Sequence, residues 1–176
     1  MTPDDQAGLY EVCQRLSPTH PHHATLPIEE AFDWFSCLAD VRFDRLYLVV
    51  FRSVRHATAD LDLLREHDDM AYAEALQAGG LIYYFSGSMN ERRECLSVCL
   101  WESREQARRA AGGASHRTAA AITAEMYESY VLERYDLIRE ETGGLVIRRR
   151  EESPSRGYAP GVPARELQET RRGSSP

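Results

Sequence analysis

The order of strand-like and helix-like segments between Arg45 and Arg139 constrains the fold more than any other feature of this sequence. Strand-length runs rich in β-branched and aromatic residues are RLYLVVFRS, LIYYFSGS, ECLSVCLW and YVLERYDLI. Helical stretches follow the first and third runs, and each ends at a glycine pair. The order β-α-β-β-α-β predicts an α+β, ferredoxin-like sandwich with one antiparallel sheet and both helices on one of its faces.

Local signals mark where the second helical stretch begins and breaks. Ser103 and Gln106 form a capping box, in which each side chain satisfies a backbone N–H of the first turn. Gly112 and Gly113 interrupt the helix, and Ser115 is placed to cap a further helical piece.

The chain divides into three regions by composition. Residues 1–44 form an N-terminal extension in which Phe32, Phe35 and Leu38 predict a short amphipathic helix. Residues 45–139 form the ferredoxin-like domain. Residues 140–176, rich in Gly, Pro, Ser and charge, are predicted to be a largely disordered tail.

Both faces of the predicted sheet are apolar. In the first run Leu46, Leu48 and Val50 alternate with apolar and aromatic neighbours, whereas a face in contact with water would be polar. An apolar face of that size marks an interaction surface. A second copy, the aromatic helix of the extension or the tail could cover it. We expect a homodimer, because two such sheets close face to face into a dimeric α/β barrel.

The less aliphatic strand positions are predicted to line the barrel interior and bind a small organic molecule. These positions are Ser97, Cys99, Trp101, Tyr83 and Phe85. The last strand leaves two alternatives open, since either Glu133 and Tyr135 or Arg134 and Asp136 face inward.

The segment from Cys95 to Ala120 resembles the antibiotic-biosynthesis-monooxygenase branch of the dimeric α/β-barrel superfamily. The resemblance rests on Trp101, Ser103, Glu105 and the pair Ser115-His116, and it covers residues 45–139. It implies cofactor-independent oxygenation or isomerisation of an aromatic or polyketide-like substrate. Relatives that degrade heme carry a ligand histidine at the position of Ala111, so heme degradation is not expected here.

Two histidines are the candidate catalytic bases. His116 lies at a helix start, where the helix dipole favours the neutral imidazole, and His56 follows the first strand, where it could look into the mouth of a barrel. The alternative for His116 is a residue that only closes the backbone after Gly113. A non-catalytic homodimer, serving binding or a stress response, is the competing hypothesis for the whole protein.

Composition and charge exclude several other classes. A net charge of −7 argues against nucleic acid or an anionic membrane as a partner. All 21 basic residues are arginine, which rules out a Schiff-base lysine, pyridoxal phosphate and a phosphate-binding P-loop. EHDD lacks the spacing of a metal site and HPHH lacks a second ligand cluster, so we expect neither metal nor cofactor. Without a recognisable signal peptide or apolar span, a cytoplasmic location is expected.

Overall fold

A computed structural model describes residues 3–151 of the 176-residue chain. The extension contributes three helices and one 3-10 turn, and the rest forms four helices and five strands. The extension elements are α1 (Pro3–Cys13), the 3-10 turn (His23–Thr25), α2 (Ile28–Ala31) and α3 (Trp34–Cys37). The remaining elements are β1 (Arg45–Arg55), α4 (Leu61–Ala78), β2 (Leu81–Ser86), β3 (Glu94–Trp101), α5 (Arg104–Ala111), α6 (Ala114–Ala121), α7 (Thr123–Met126), β4 (Tyr127–Arg139) and β5 (Leu145–Arg149).

The sheet has the ferredoxin-like arrangement expected from the sequence. Its strand order is β2-β3-β1-β4-β5, and all neighbours are antiparallel, with β1 at the centre. The added edge strand β5 corrects one prediction, because residues 145–149 were assigned to a disordered tail. Most of that tail lies outside the described residues.

One face of the sheet packs against α4 and α5 through a small cluster dominated by alanine and aromatic side chains. Its buried members are Tyr47, Ala75, Leu81, Trp101, Ala107 and Ala110. Small residues on the helices let them approach the sheet closely, while Tyr47 and Trp101 fill the remaining volume. The Ser103 half of the predicted capping box is confirmed, since its side chain accepts a hydrogen bond from the backbone N–H of Gln106. The Gln106 side chain accepts from the Ser103 hydroxyl and donates to Glu102 Oε2, each over 2.8 Å.

The opposite face is covered by the N-terminal extension of the same chain. Its buried strand residues are Leu46, Leu48, Val50, Ile82, Tyr83, Leu96, Val98, Leu100, Tyr135 and Leu137. Its covering residues are Leu9, Cys13, Leu16, Ala24, Ile28, Ala31, Phe32, Trp34, Leu38 and Phe43. The face expected to meet a second copy is therefore already occupied. The homodimer stays a prediction, and it would need another surface.

The helix predicted from Phe32, Phe35 and Leu38 is broken in two. Phe32 adopts an extended conformation between α2 and α3, so that its ring points into the core, while the Phe35 side chain is 52% exposed. The break lets Phe32 and Trp34 both pack inward, with ring centroids 5.2 Å apart.

Candidate functional site

A cleft of about 830 Å³ lies between the extension and the sheet. Residues 24–29 form one wall. The other wall consists of strand residues Arg52, Ser53, Val54, Glu94, Cys95, Ser129, Val131, Glu133, Tyr135 and Arg149. Binding sites for small molecules have volumes of about 300–1,000 Å³ and combine apolar walls with a few convergent polar groups. We call this feature the extension cleft.

Arg52 holds the extension wall of the cleft in place. Its Nη1 donates to the carbonyl of Ala24 and its Nη2 to the carbonyl of Leu26, each over 2.7 Å. Its Nε donates to Glu133 Oε2 over 3.2 Å. These carbonyls lie at the 3-10 turn, where no helix continues to satisfy them. One guanidinium therefore ties the extension to the centre of the sheet.

Glu133 connects Arg52 to the polar end of the cleft. Its side chain is only 12% exposed, and its Oε2 also accepts a hydrogen bond of 3.0 Å from the Tyr135 hydroxyl. Burial and the neighbouring Glu133 raise the pKa of Tyr135 to about 12, so the phenol stays protonated and acts as a donor. Arg149 Nη2 lies 3.8 Å from the other carboxylate oxygen of Glu133.

The structure settles which side of the last strand faces this cleft. Tyr135 and Leu137 pack with the extension, and Glu133 shares their face. Asp136 lies on the other face, opposite Tyr47 in the strand register, and Arg150 Nη1 donates to both of its carboxylate oxygens over 2.8 and 2.6 Å.

The substrate-binding residues predicted for a single interior do not lie together. Ser97, Cys99 and Trp101 alternate on the helix-covered face. Tyr83 and Phe85 lie on the extension face, where the Tyr83 hydroxyl donates to the carbonyl of Leu16 over 2.9 Å. A bulge in β2 turns both Ile82 and Tyr83 toward the extension. The prediction of one shared lining is thus wrong, because strand alternation places the two sets on opposite faces.

His116 is held at the start of α6 by a glutamate from another helix. Its Nδ1 and its backbone nitrogen both lie 3.2 Å from Glu74 Oε2. Although desolvation acts to raise it, the pKa of Glu74 is lowered overall by hydrogen bonds from the His116 ring and from backbone N–H groups of residues 114–116. Glu74 thus does the capping expected of Ser115, because α6 begins at Ala114 with no cap from its own side chains. A Cβ on Gly113 would lie 2.1 Å from Glu74 Oε2, so a larger residue at this position would displace the Glu74 side chain from the start of α6.

His56 belongs to a separate surface cluster. Its Nδ1 lies 3.9 Å from Glu128 Oε1, which also pairs with Arg93 over 2.6 Å. Arg93 adopts a left-handed backbone conformation, φ 63°, and also donates to the carbonyl of Arg55. Neither His56 nor His116 lines the extension cleft, and the structure does not bring them together with the predicted binding residues. Their catalytic roles stay predictions.

A half-buried polar pair lies between α4 and the sheet. The Tyr84 hydroxyl donates to Asp68 Oδ1 over 2.5 Å. Burial raises the pKa of Asp68, an effect only partly offset by Tyr84 and Arg55, and burial beside Asp68 raises the pKa of Tyr84 as well. The run EHDD, which contains Asp68, has the composition of a solvent-exposed helix face and does not indicate this pair.

We expect Asp68→Asn to raise the urea midpoint of unfolding near pH 7. Because folding raises the pKa of Asp68, its stabilising contribution is present at low pH and is lost as the pH rises through the folded value. The neutral amide avoids that loss and still accepts the Tyr84 hydrogen bond. At about pH 3 the variant and the parent should coincide, since Asp68 is then protonated in both states. Glu66→Gln, exposed on the same helix, is the control, and equal shifts for both variants would contradict the assignment.

The cleft residues had weak signals in the sequence. Arg52 interrupts an otherwise apolar strand run, and Arg149 follows the short apolar run LVI. A charge inside a buried strand indicates specific partners, but the partners of Arg52 are distant in the chain: the carbonyls of Ala24 and Leu26 and the carboxylate of Glu133.

Within residues 3–151 there is no group of three His, Cys, Asp or Glu side chains placed to hold a metal ion. Over the same residues, none of the helices has the length and apolar content needed to cross a membrane.

The strand order and the cleft together define the class of protein. It is a ferredoxin-like α+β protein in which an N-terminal extension covers the sheet and forms one wall of a ligand-sized cleft.

Residues 2–148 match the PB2B2.08-like family, and the chain belongs to that family. UPF0643 protein PB2B2.08 of Schizosaccharomyces pombe is 31% identical over 107 residues, or 57% of this chain and 49% of that protein. The chain thus spans about half the length of this curated relative.

Solved structures share the fold at low sequence identity. Protein SO0527 from Shewanella oneidensis is 14% identical with a TM-score of 0.47, over 53% of this chain and 92% of that one. SnoaB, a cofactor-independent oxygenase from Streptomyces nogalater, is 11% identical with a TM-score of 0.42, over 52% and 91%. Antibiotic-biosynthesis-monooxygenase-like proteins, the group indicated by the sequence, are among these likenesses, which concern the fold alone.

Proposed function

We propose that this protein binds a small organic molecule in the extension cleft. The observation that carries the proposal is the cleft itself, a volume of about 830 Å³ with mixed apolar and polar walls and a polar end built from Arg52, Glu133, Tyr135 and Arg149. Val131 supports it, because this apolar residue is 48% exposed on the cleft wall, where a bound molecule would cover it. The site lies within one chain, so binding does not depend on the predicted homodimer.

Catalysis on the bound molecule is a further part of this proposal. The cofactor-independent oxygenation or isomerisation expected from the sequence would have to use groups that face the cleft. Glu133 is the carboxylate that would take up a substrate proton there, while the Tyr135 hydroxyl, 3.0 Å away, stays protonated and serves as a hydrogen-bond donor. We place this activity in the cytoplasm, as the sequence predicts.

Filling the cleft tests the binding proposal. We expect Val131→Trp to abolish the rise in melting temperature that a bound aromatic or aliphatic compound gives the parent protein, because the indole occupies the ligand volume. Met70→Trp is the control, since Met70 is likewise 48% exposed but lies on α4, on the other side of the sheet. A compound that stabilises both variants as it stabilises the parent binds elsewhere, and that result would refute the cleft as the site.

A further inference from the structure

We propose that the ligand of the extension cleft is an amphipathic organic acid, whose carboxylate binds Arg149 and whose apolar body lies along β4 over Val131. This inference rests on the proposed function and names the class of molecule that the site takes.

At the polar end of the cleft Arg52 and Arg149 both lie near the carboxylate of Glu133, and Arg52 donates a hydrogen bond to it. Arg52 uses its three groups on Glu133 and on two extension carbonyls. Glu133 Oε2 already accepts from both Arg52 and Tyr135, and Oε1 is 3.8 Å from Arg149, which is an ion-pair distance but too long for a hydrogen bond. The Arg149 side chain is 64% exposed, so its donors are accessible from the cleft. A planar carboxylate matches that geometry with two parallel hydrogen bonds.

The strand register sets the length of the molecule. Arg149 lies opposite Tyr135 on the β4–β5 ladder, and Val131 lies on the same face of β4, four residues earlier. At about 3.3 Å per residue the Cα atoms of Tyr135 and Val131 are roughly 13 Å apart. The guanidinium of Arg149 shortens that span, because its Nη2 lies 3.8 Å from Glu133 Oε1. A carboxylic acid with a chain of about eight to ten carbons, or an arylalkanoic acid of similar length, reaches from Arg149 to Val131. Ala24, Leu26 and Pro27 of the extension wall give that chain an apolar surface on its other side.

Two glutamates at the cleft, Glu29 and Glu94, would repel a bound anion. They allow a second test, in which removing a negative charge should tighten the binding of an acid. Glu94 Oε2 is engaged by Asn90 over 2.8 Å. Glu29 lies near Tyr135, whose pKa it helps to raise, and therefore near the Arg149 end. Neutralising Glu29 removes a repulsion, so it should tighten the binding of an acid, whereas neutralising Arg149 should weaken it.

The experiment compares octanoate, octan-1-ol and octylammonium by isothermal titration with the full chain. We expect octanoate to bind at least about tenfold more tightly than the other two, and Arg149→Gln to remove that preference. Glu29→Gln should tighten octanoate only. Arg148→Gln is the matched control, because Arg148 is the adjacent residue of the same strand, opposite Asp136, and does not line the cleft.

The outcomes separate the two proposals. If the alcohol or the ammonium ion binds as well as octanoate, and Val131→Trp removes that binding, the cleft is a ligand site but the organic-acid inference is wrong. If Arg148→Gln weakens octanoate as much as Arg149→Gln does, the preference is a general charge effect and the inference is again overturned. If none of the three probes binds the parent protein, the inference and the proposed function both fail.

Discussion

Trp34→Ala is expected to destabilise the protein by about 3–5 kcal/mol, the largest effect of any single substitution considered for this chain. The Trp34 side chain is fully buried between the extension and the sheet, and its indole N–H donates to the carbonyl of Ile28 over 2.7 Å. Truncation leaves a cavity and an unsatisfied carbonyl in the layer that covers the sheet. The loss is measured as the change in the free energy of unfolding. Urea titrations followed by far-UV circular dichroism give this value, because that signal does not depend on the tryptophan that is removed.

Phe35→Ala is the matched control, one residue away on the same short helix. Because the Phe35 side chain is 52% exposed, its removal should change stability by no more than about 0.5 kcal/mol. A similar loss for both variants would mean that the extension does not dock as described.

Loss of Trp34 should also change the state of association. A loosened extension uncovers the aliphatic face of Leu46, Leu48 and Val50, and an uncovered face of this kind associates with other apolar surfaces. Light scattering after size exclusion should therefore give Trp34→Ala a larger molar mass than the parent. An unchanged mass, with the extension protected from proteolysis as in the parent, would contradict this expectation.

Arg52→Met is expected to cost about 3 kcal/mol, the second largest effect. The substitution keeps the apolar stem but removes the donors to Ala24, Leu26 and Glu133. Glu133 then remains as a largely buried carboxylate without its closest cation, and that penalty exceeds the value of the hydrogen bonds themselves. The extension wall of the cleft loses its attachment at the same time, so ligand binding should weaken together with stability.

Arg65→Met provides the comparison for Arg52→Met. Arg65 also pairs with a carboxylate, Asp62, over 3.2 Å, but both side chains are largely exposed on α4. Such a pair contributes about 0–1 kcal/mol, so this variant should unfold close to the parent. If Arg52→Met were equally mild, the extension would be held by its apolar contacts alone.

Local signals in the sequence predicted the elements of the domain correctly. The strand runs, the glycine pairs and the N-cap at Ser103 depend on residues within a few positions of one another, and the structure shows each of them. The element order then led to the ferredoxin-like fold, because few topologies accommodate it. The predicted N-cap of α6 at Ser115 was wrong, because the residue that caps this helix is distant in the chain. Glu74, 42 residues before His116, accepts from the backbone N–H of His116 instead.

The cleft could not be predicted, because each of its groups depends on long-range placement. Arg52, Glu133 and Arg149 come from three strands, and the opposite wall comes from the extension. The alternating residues along β4 did not indicate which of its two faces is turned toward the cleft. That is determined by the packing of Tyr135 and Leu137 against the extension.

The sequence by itself determined that both faces of the sheet must be buried, because apolar side chains occupy both sets of alternating positions. Only the tertiary structure decided what buries the second face, namely the protein's own extension, fastened by Arg52. The physical reason is that the hydrophobic effect requires removal from water but has no direction, so it does not distinguish a second copy from a tethered segment. The directional hydrogen bonds that do distinguish them join residues far apart in the chain.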